Sequence, residues 1–132
     1  MAELIEPRRY EAVDRQVFAV EFEDFLPAEI YDVHVHLHTP AFGMPTAEAI
    51  AESWASEAPH ELSRTQLGEV QDLLFPGRQT RSLVFANPSK WVDLPAANAH
   101  VAQAIAADQA DGLLVTRPEW TADEVRRLLA QG

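Results

Sequence analysis

Each β-type run in this chain is closed by a proline and followed by a helical stretch, and that alternation limits the folds open to it. Ile30 to His38 alternates Tyr31, Val33, Val35 and Leu37 with Asp32, His34, His36 and His38, the period-2 pattern of a strand. Thr39-Pro40 stops it. Arg81 to Ala86 forms a second run, ended by Asn87-Pro88, and Gly112 to Thr116 a third, closed by Pro118. Between the first two lie two helical stretches. One starts at Thr46 and reaches the region of Ser56. The other starts at Ser63, carries Leu67, Val70 and Leu74 on one face, and stops at Pro76-Gly77. A helix from Asp93 to about Ala107 follows the second strand. Asp93 is its N-cap, Pro95 sits in the tolerated first turn, and Ala97, Val101 and Ile105 form its apolar face. A last helix opens on the capping box Thr121 and Glu124 and buries Val125, Leu128 and Leu129.

Strands alternating with helices predict an α/β fold with a parallel sheet and right-handed crossovers. Ahead of them, residues 1–29 read as an N-terminal extension. Phe18, Phe22 and Phe25 recur at helical spacing, Asp14 is an available N-cap, and Pro27 ends the segment, although Phe18, Val20 and Phe22 also alternate as a strand would. Residues 30–132 then hold the βα units. A closed (β/α) barrel takes about 250 residues for its eight units. A chain of 132 residues with three strands is therefore either a small open sheet or a partial TIM barrel of about three units, and the second is the expectation here.

Composition narrows the chemistry. A net charge of -11 repels phosphate backbones and anionic lipid surfaces, which excludes nucleic acid and membranes as expected partners. No apolar run approaches the ~20 residues of a spanning helix, and the first residues lack the apolar core of a secretory signal. With no cysteine, thiolate sites and disulfides are excluded, and a cytoplasmic location is the default. A bound metal must be held by imidazole and carboxylate.

Asp32-Val33-His34-Val35-His36-Leu37-His38 is the stretch that could do this. Residues two apart on a strand share a face, so His34 and His36 present two imidazoles side by side, within reach of one divalent ion. Zinc, the expected cofactor, suits such nitrogen donors, and a catalytic zinc generates a hydroxide nucleophile near neutral pH. Val33, Val35 and Leu37 are expected to face the opposite way, towards covering helices. His38 lies on the ligand face as a metal or substrate candidate. Asp32, on the same face, either orients an imidazole or caps the strand's entry. Arg117, after the third strand, either pairs with a carboxylate of a small-molecule substrate or is a plain surface arginine. Asn87 stands in the same kind of position. His60 falls in a loop and His100 within a helix, where solvation or packing is the better reading. Phe42, Met44 and Trp54 in the long connection could shape a lid or merely cover the end of the sheet. Unpaired strand edges and exposed apolar faces would also admit a homo-oligomer.

Asp32-x-His34-x-His36-Leu37, following Leu26-Pro27-x-x-Ile30, resembles the first strand of the amidohydrolase superfamily, and most closely its amidohydrolase-related group. The likeness extends more loosely through Phe75-Pro76-Gly77-Arg78 and the pair of elements around Leu113 to Leu129. It implies a metal-dependent barrel hydrolase, in which the His-x-His pair, here His34 and His36, holds the metal and activated water attacks an amide, ester or lactone. The same likeness admits decarboxylases and a uronate isomerase. It places the remaining ligands and a proton-accepting aspartate on later strands, which have no counterpart in this chain, so a non-catalytic metal-binding α/β fragment is a rival. A phosphoesterase barrel opens in the same way but continues with a turn bearing serine and aspartate. Leu37-His38-Thr39-Pro40-Ala41-Phe42-Gly43 fits that poorly.

Overall fold

In the computed structural model, which describes residues 11–52, 61–108 and 110–130, the chain is an α/β protein built on a three-stranded parallel sheet in the order β1-β2-β3. The elements follow as α1 (Glu11–Val17), running on through a π-helical turn at Phe18–Phe22, β1 (Glu29–Leu37), a short 3-10 turn at Pro40–Phe42, α2 (Ala47–Ala51), α3 (Arg64–Leu74), β2 (Gln79–Ala86), α4 (Leu94–Asp108), β3 (Asp111–Leu113) and α5 (Ala122–Leu129). None of the described helices is long and apolar enough to cross a membrane.

The starts of the helices follow from local chemistry. Ser63 and Thr121 each accept the backbone N–H three residues on, and Gln66 and Glu124 reach back to complete reciprocal capping boxes. Thr46 caps α2 by accepting from the Ala49 N–H, and the Asp93 carboxylate accepts from Ala96 at the start of α4. The N-terminal segment is helical, but Asp14 lies inside α1 rather than capping it. Of its three phenylalanines only Phe18 is buried, beneath the Arg78 guanidinium, 5.3 Å from the ring centre; Phe25 stays exposed.

The Glu124 box carries a pH signature. The Thr121 backbone N–H donates to the Glu124 carboxylate at 2.7 Å, and this bond, with that from the Thr121 hydroxyl, holds the carboxyl below its ordinary range. A group whose pKa is depressed on folding adds stability above its unfolded value and loses it as the pH falls through its folded value. The side-chain carboxyl of Glu124 should therefore titrate below a reference glutamate in a carbon-13 NMR pH series. Thr121→Ala should return it towards the reference.

Packing is one-sided. Val35 and Leu37 of β1, Val84 and Ala86 of β2, Leu67 of α3, and Leu94, Ala97 and Val101 of α4 form the core, with Ile105 and Val115 packed against it. Both α3 and α4 lie on the same face of the sheet. Gln71 of α3 donates to the Ser82 hydroxyl at 2.6 Å, a buried pair that ties the helix to the middle of β2. A Cβ on Gly112 would lie 2.7 Å from the terminal methyl of Ile105, so β3 lies close against α4 and a larger residue there would have to push that side-chain end aside. The opposite face carries Tyr31, Arg81, Leu83, Phe85, Asp111 and Leu113, and no described helix covers it: Leu113 is 50% and Tyr31 44% exposed.

Three expectations are corrected here. First, the alternation of β1 is broken. Asp32 pairs with Ser82, but Val35 pairs with Val84, so Val33 and His34 together stand opposite Leu83 alone. This one-residue bulge reverses the phase of the strand. Val35 and Leu37 face the helices as expected, whereas Val33 is 65% exposed. Asp32 lies on the side of Ser82, not on the side of the histidines. Second, β3 ends at Leu113, because the Asn98 side chain takes both backbone groups of Val115: it accepts the N–H at 3.1 Å and donates to the carbonyl at 2.8 Å. Third, Leu129 is 61% exposed; Val125 and Leu128 are partly covered.

Candidate metal centre

β1 and β2 run side by side, and each breaks off into a loop at the same end of the sheet. Near that end His34 and His36 project from the open face. Their Nε2 atoms are 3.2 Å apart and their rings meet edge to face, with centres 5.0 Å apart. Phe85, paired with His36 across the strands, sets its ring against both, at 4.4 Å from His36 and 5.0 Å from His34.

The tautomer of His36 follows from its second contact. Its Nδ1 lies 3.3 Å from the Ala86 carbonyl oxygen. A carbonyl can only accept, so Nδ1 carries the proton and Nε2 keeps its lone pair. Partial burial holds the imidazole below its ordinary pKa. The bond to Ala86 works the other way, and the proximity of His34 and His38 adds to the lowering. His36 is therefore neutral at neutral pH, the form that ligates a metal.

The donor set fits a zinc ion as far as it goes. At the usual nitrogen–zinc distance of about 2.0–2.1 Å, two donors 3.2 Å apart subtend about 100° at the metal, close to a tetrahedral angle. A ring nitrogen anchored on a backbone carbonyl is the usual support for a ligating histidine. Among the described residues no cluster of three or more His, Cys, Asp or Glu side chains is placed to hold a metal, so the pair is an incomplete coordination sphere.

The other candidates are placed elsewhere. Asp32 does not touch an imidazole; its carboxylate accepts the His34 backbone N–H at 3.1 Å. His38 turns back along its own strand, with Nδ1 3.3 Å from the His36 carbonyl oxygen, while its backbone pairs with Leu62. Arg117 donates to the carbonyls of Ser89 and Val92 at 3.3 and 3.0 Å and so braces the loop after β2. The Asn87 side chain accepts the Ser89 N–H in that same loop. His100 packs against Phe42 with ring centres 5.4 Å apart. Phe42 itself lies against the core, and Gly43 follows it at φ 111°, where a Cβ would sit 2.1 Å from the Trp91 carbonyl oxygen. The loops after β1 and β2 are thus packed together. Trp54 and His60 lie outside the described residues.

Two members of the site were not anticipated from the sequence: Phe85 and the Ala86 carbonyl. Each is defined only by the register of β2 against β1, which no local pattern encodes. Comparison with family models, curated proteins and solved structures finds no match.

Proposed function

We propose that this chain forms the first three units of a metal-dependent (β/α) barrel hydrolase, with His34 and His36 as two ligands of its zinc. The observation that carries this reading is the pair of Nε2 atoms 3.2 Å apart on an uncovered sheet face, with His36 locked in the ligating tautomer. The one-sided sheet supports it too. In a barrel, helices cover the outer face while the inner face fills the interior, and active sites lie at the C-terminal ends of the strands. His34 and His36 stand in the C-terminal half of β1, on the face without helices.

Bound zinc would supply an activated water for attack on an amide, ester or lactone carbon. The chain's own residues do the positioning. The Ala86 carbonyl fixes the His36 ring, and Phe85 walls one side of the pair against solvent. The ligands that complete the sphere, and the group that accepts the proton from water, come in this proposal from elements other than those described. A metal-binding protein without turnover is the second reading, favoured by the lack of a third ligand among the described residues.

The test is titration with zinc, and with cobalt as its coloured substitute, followed by nitrogen-15 NMR of the histidine rings. The Nε2 resonances of His34 and His36 should shift together at one equivalent, while those of His100 stay fixed. Zinc-dependent hydrolysis of an ester, lactone and amide panel, abolished by a chelator, separates the hydrolase from the silent binder. If neither Nε2 responds to millimolar zinc, both readings fail.

A further inference from the structure

We infer that Asp32 is the positioning residue of the histidine pair: its carboxylate holds open the bulge in β1 that turns His34 and His36 onto the uncovered face. The inference deepens the metal-site reading but rests on a separate observation, the register of the strands. Up to Asp32 each β1 residue pairs with the β2 residue fifty positions on, as in Glu29 with Gln79 and Asp32 with Ser82. From Val35 the offset is forty-nine, as in Val35 with Val84 and His36 with Phe85. Were the first register to continue, His34 would stand beside Val84 and His36 beside Ala86. Both are fully buried under the helices. The two imidazoles would then enter the core, and Val35 and Leu37 would turn out to solvent. A slip of one residue flips every side chain of a strand.

Burial of Val35 and Leu37 favours the bulged form, because both side chains leave water only in that register. A bulge, however, takes backbone groups out of the ladder, and these need other partners. The Asp32 carboxylate accepts the His34 N–H at 3.1 Å, two residues along its own strand. Aspartate is a residue that strands otherwise disfavour, because its side chain competes for the local backbone. Here that competition selects the bulge. Asp32 therefore acts on the site through the backbone of a ligand, touching neither ring.

The experiment compares Asp32→Ala and Asp32→Asn with the unaltered chain, first without metal and then with zinc. Asparagine keeps an oxygen that can accept the His34 N–H and loses the charge; alanine keeps neither. Without metal, proton NMR of the unaltered chain should show through-space contacts from the His34 and His36 rings to the Phe85 ring. Asp32→Asn should retain them, and Asp32→Ala should lose or weaken those of His34. With zinc, Asp32→Ala should bind at least tenfold more weakly and Asp32→Asn within about threefold of the unaltered chain. Full retention of ring contacts and affinity in Asp32→Ala overturns the inference. So does an Asp32→Asn chain that behaves like Asp32→Ala, since the acceptor would then not be what matters. Should Asp32→Ala fail to fold, the asparagine variant decides alone, by keeping or losing the ring contacts. Because those contacts are read without metal, loss of them in Asp32→Ala upholds the positioning role even if zinc never binds, and the two ideas fail separately.

Discussion

Alanine at His36 is expected to weaken zinc binding at least about 100-fold, since removing even an outer-shell partner of a ligand costs 10–100-fold. The expected loss at His34 is similar, because each supplies one of two nitrogens set 3.2 Å apart. The two variants should differ in the metal-free protein. His36 is anchored on Ala86 and packed on Phe85 at 4.4 Å, so its removal also frees the Phe85 ring; His34 has the looser contact, at 5.0 Å. Calorimetric titration of both variants, with His100→Gln as a control in α4, provides the check. Unchanged affinity in His36→Ala would remove that residue from the site.

The second large effect is on stability, and it uses two residues that look equivalent in the sequence. Leu37 is 1% exposed at the centre of the core, and replacing it with alanine should destabilise the fold by about 2–5 kcal/mol. Against a typical total of about 5–15 kcal/mol, that is enough to move the urea midpoint sharply or to unfold the chain. Val33, four residues earlier and in phase with Leu37 by simple alternation, is 65% exposed; Val33→Ala should stay within about 0.5 kcal/mol. An uninterrupted strand would put both side chains on one face, and both changes would then cost alike. Urea denaturation of the pair therefore tests the bulge through a property unrelated to metal.

These two residues also show where sequence reading stops. The order of strands and helices was legible because prolines, capping boxes and apolar periodicity are local marks, and they returned α3, α4 and α5 with their starting caps. The parallel sheet followed from that order. The histidine pair was legible as well, since two positions apart on a strand means one face with or without a bulge before them. The phase of β1 was not legible. Tyr31, Val33, Val35 and Leu37 alternate without a fault, yet the backbone spends one extra residue between Asp32 and Val35. The available hint was the aspartate in mid-strand, read as a companion of the histidine rings when its chemistry favours the backbone. The shortness of β3 was hidden for a related reason. Asn98, one turn into α4, substitutes for a neighbouring strand at Val115, and a side-chain amide doing so leaves no trace in the pattern of Leu113, Leu114 and Val115.

The offset between β1 and β2 has a consequence for how such a sequence can change over time. At Val33 neither the side chain nor the residue itself is needed to set the strand's two faces. The side chain is exposed, so most replacements there would pass unnoticed. Loss of that single codon would remove the bulge, yet His34 would then stand beside Leu83, Val35 would stay beside Val84 and His36 beside Phe85, so both faces would keep their side chains. β1 thus carries one residue more than its pairing with β2 requires, a surplus that a deletion scan would reveal and ordinary substitution scanning would miss.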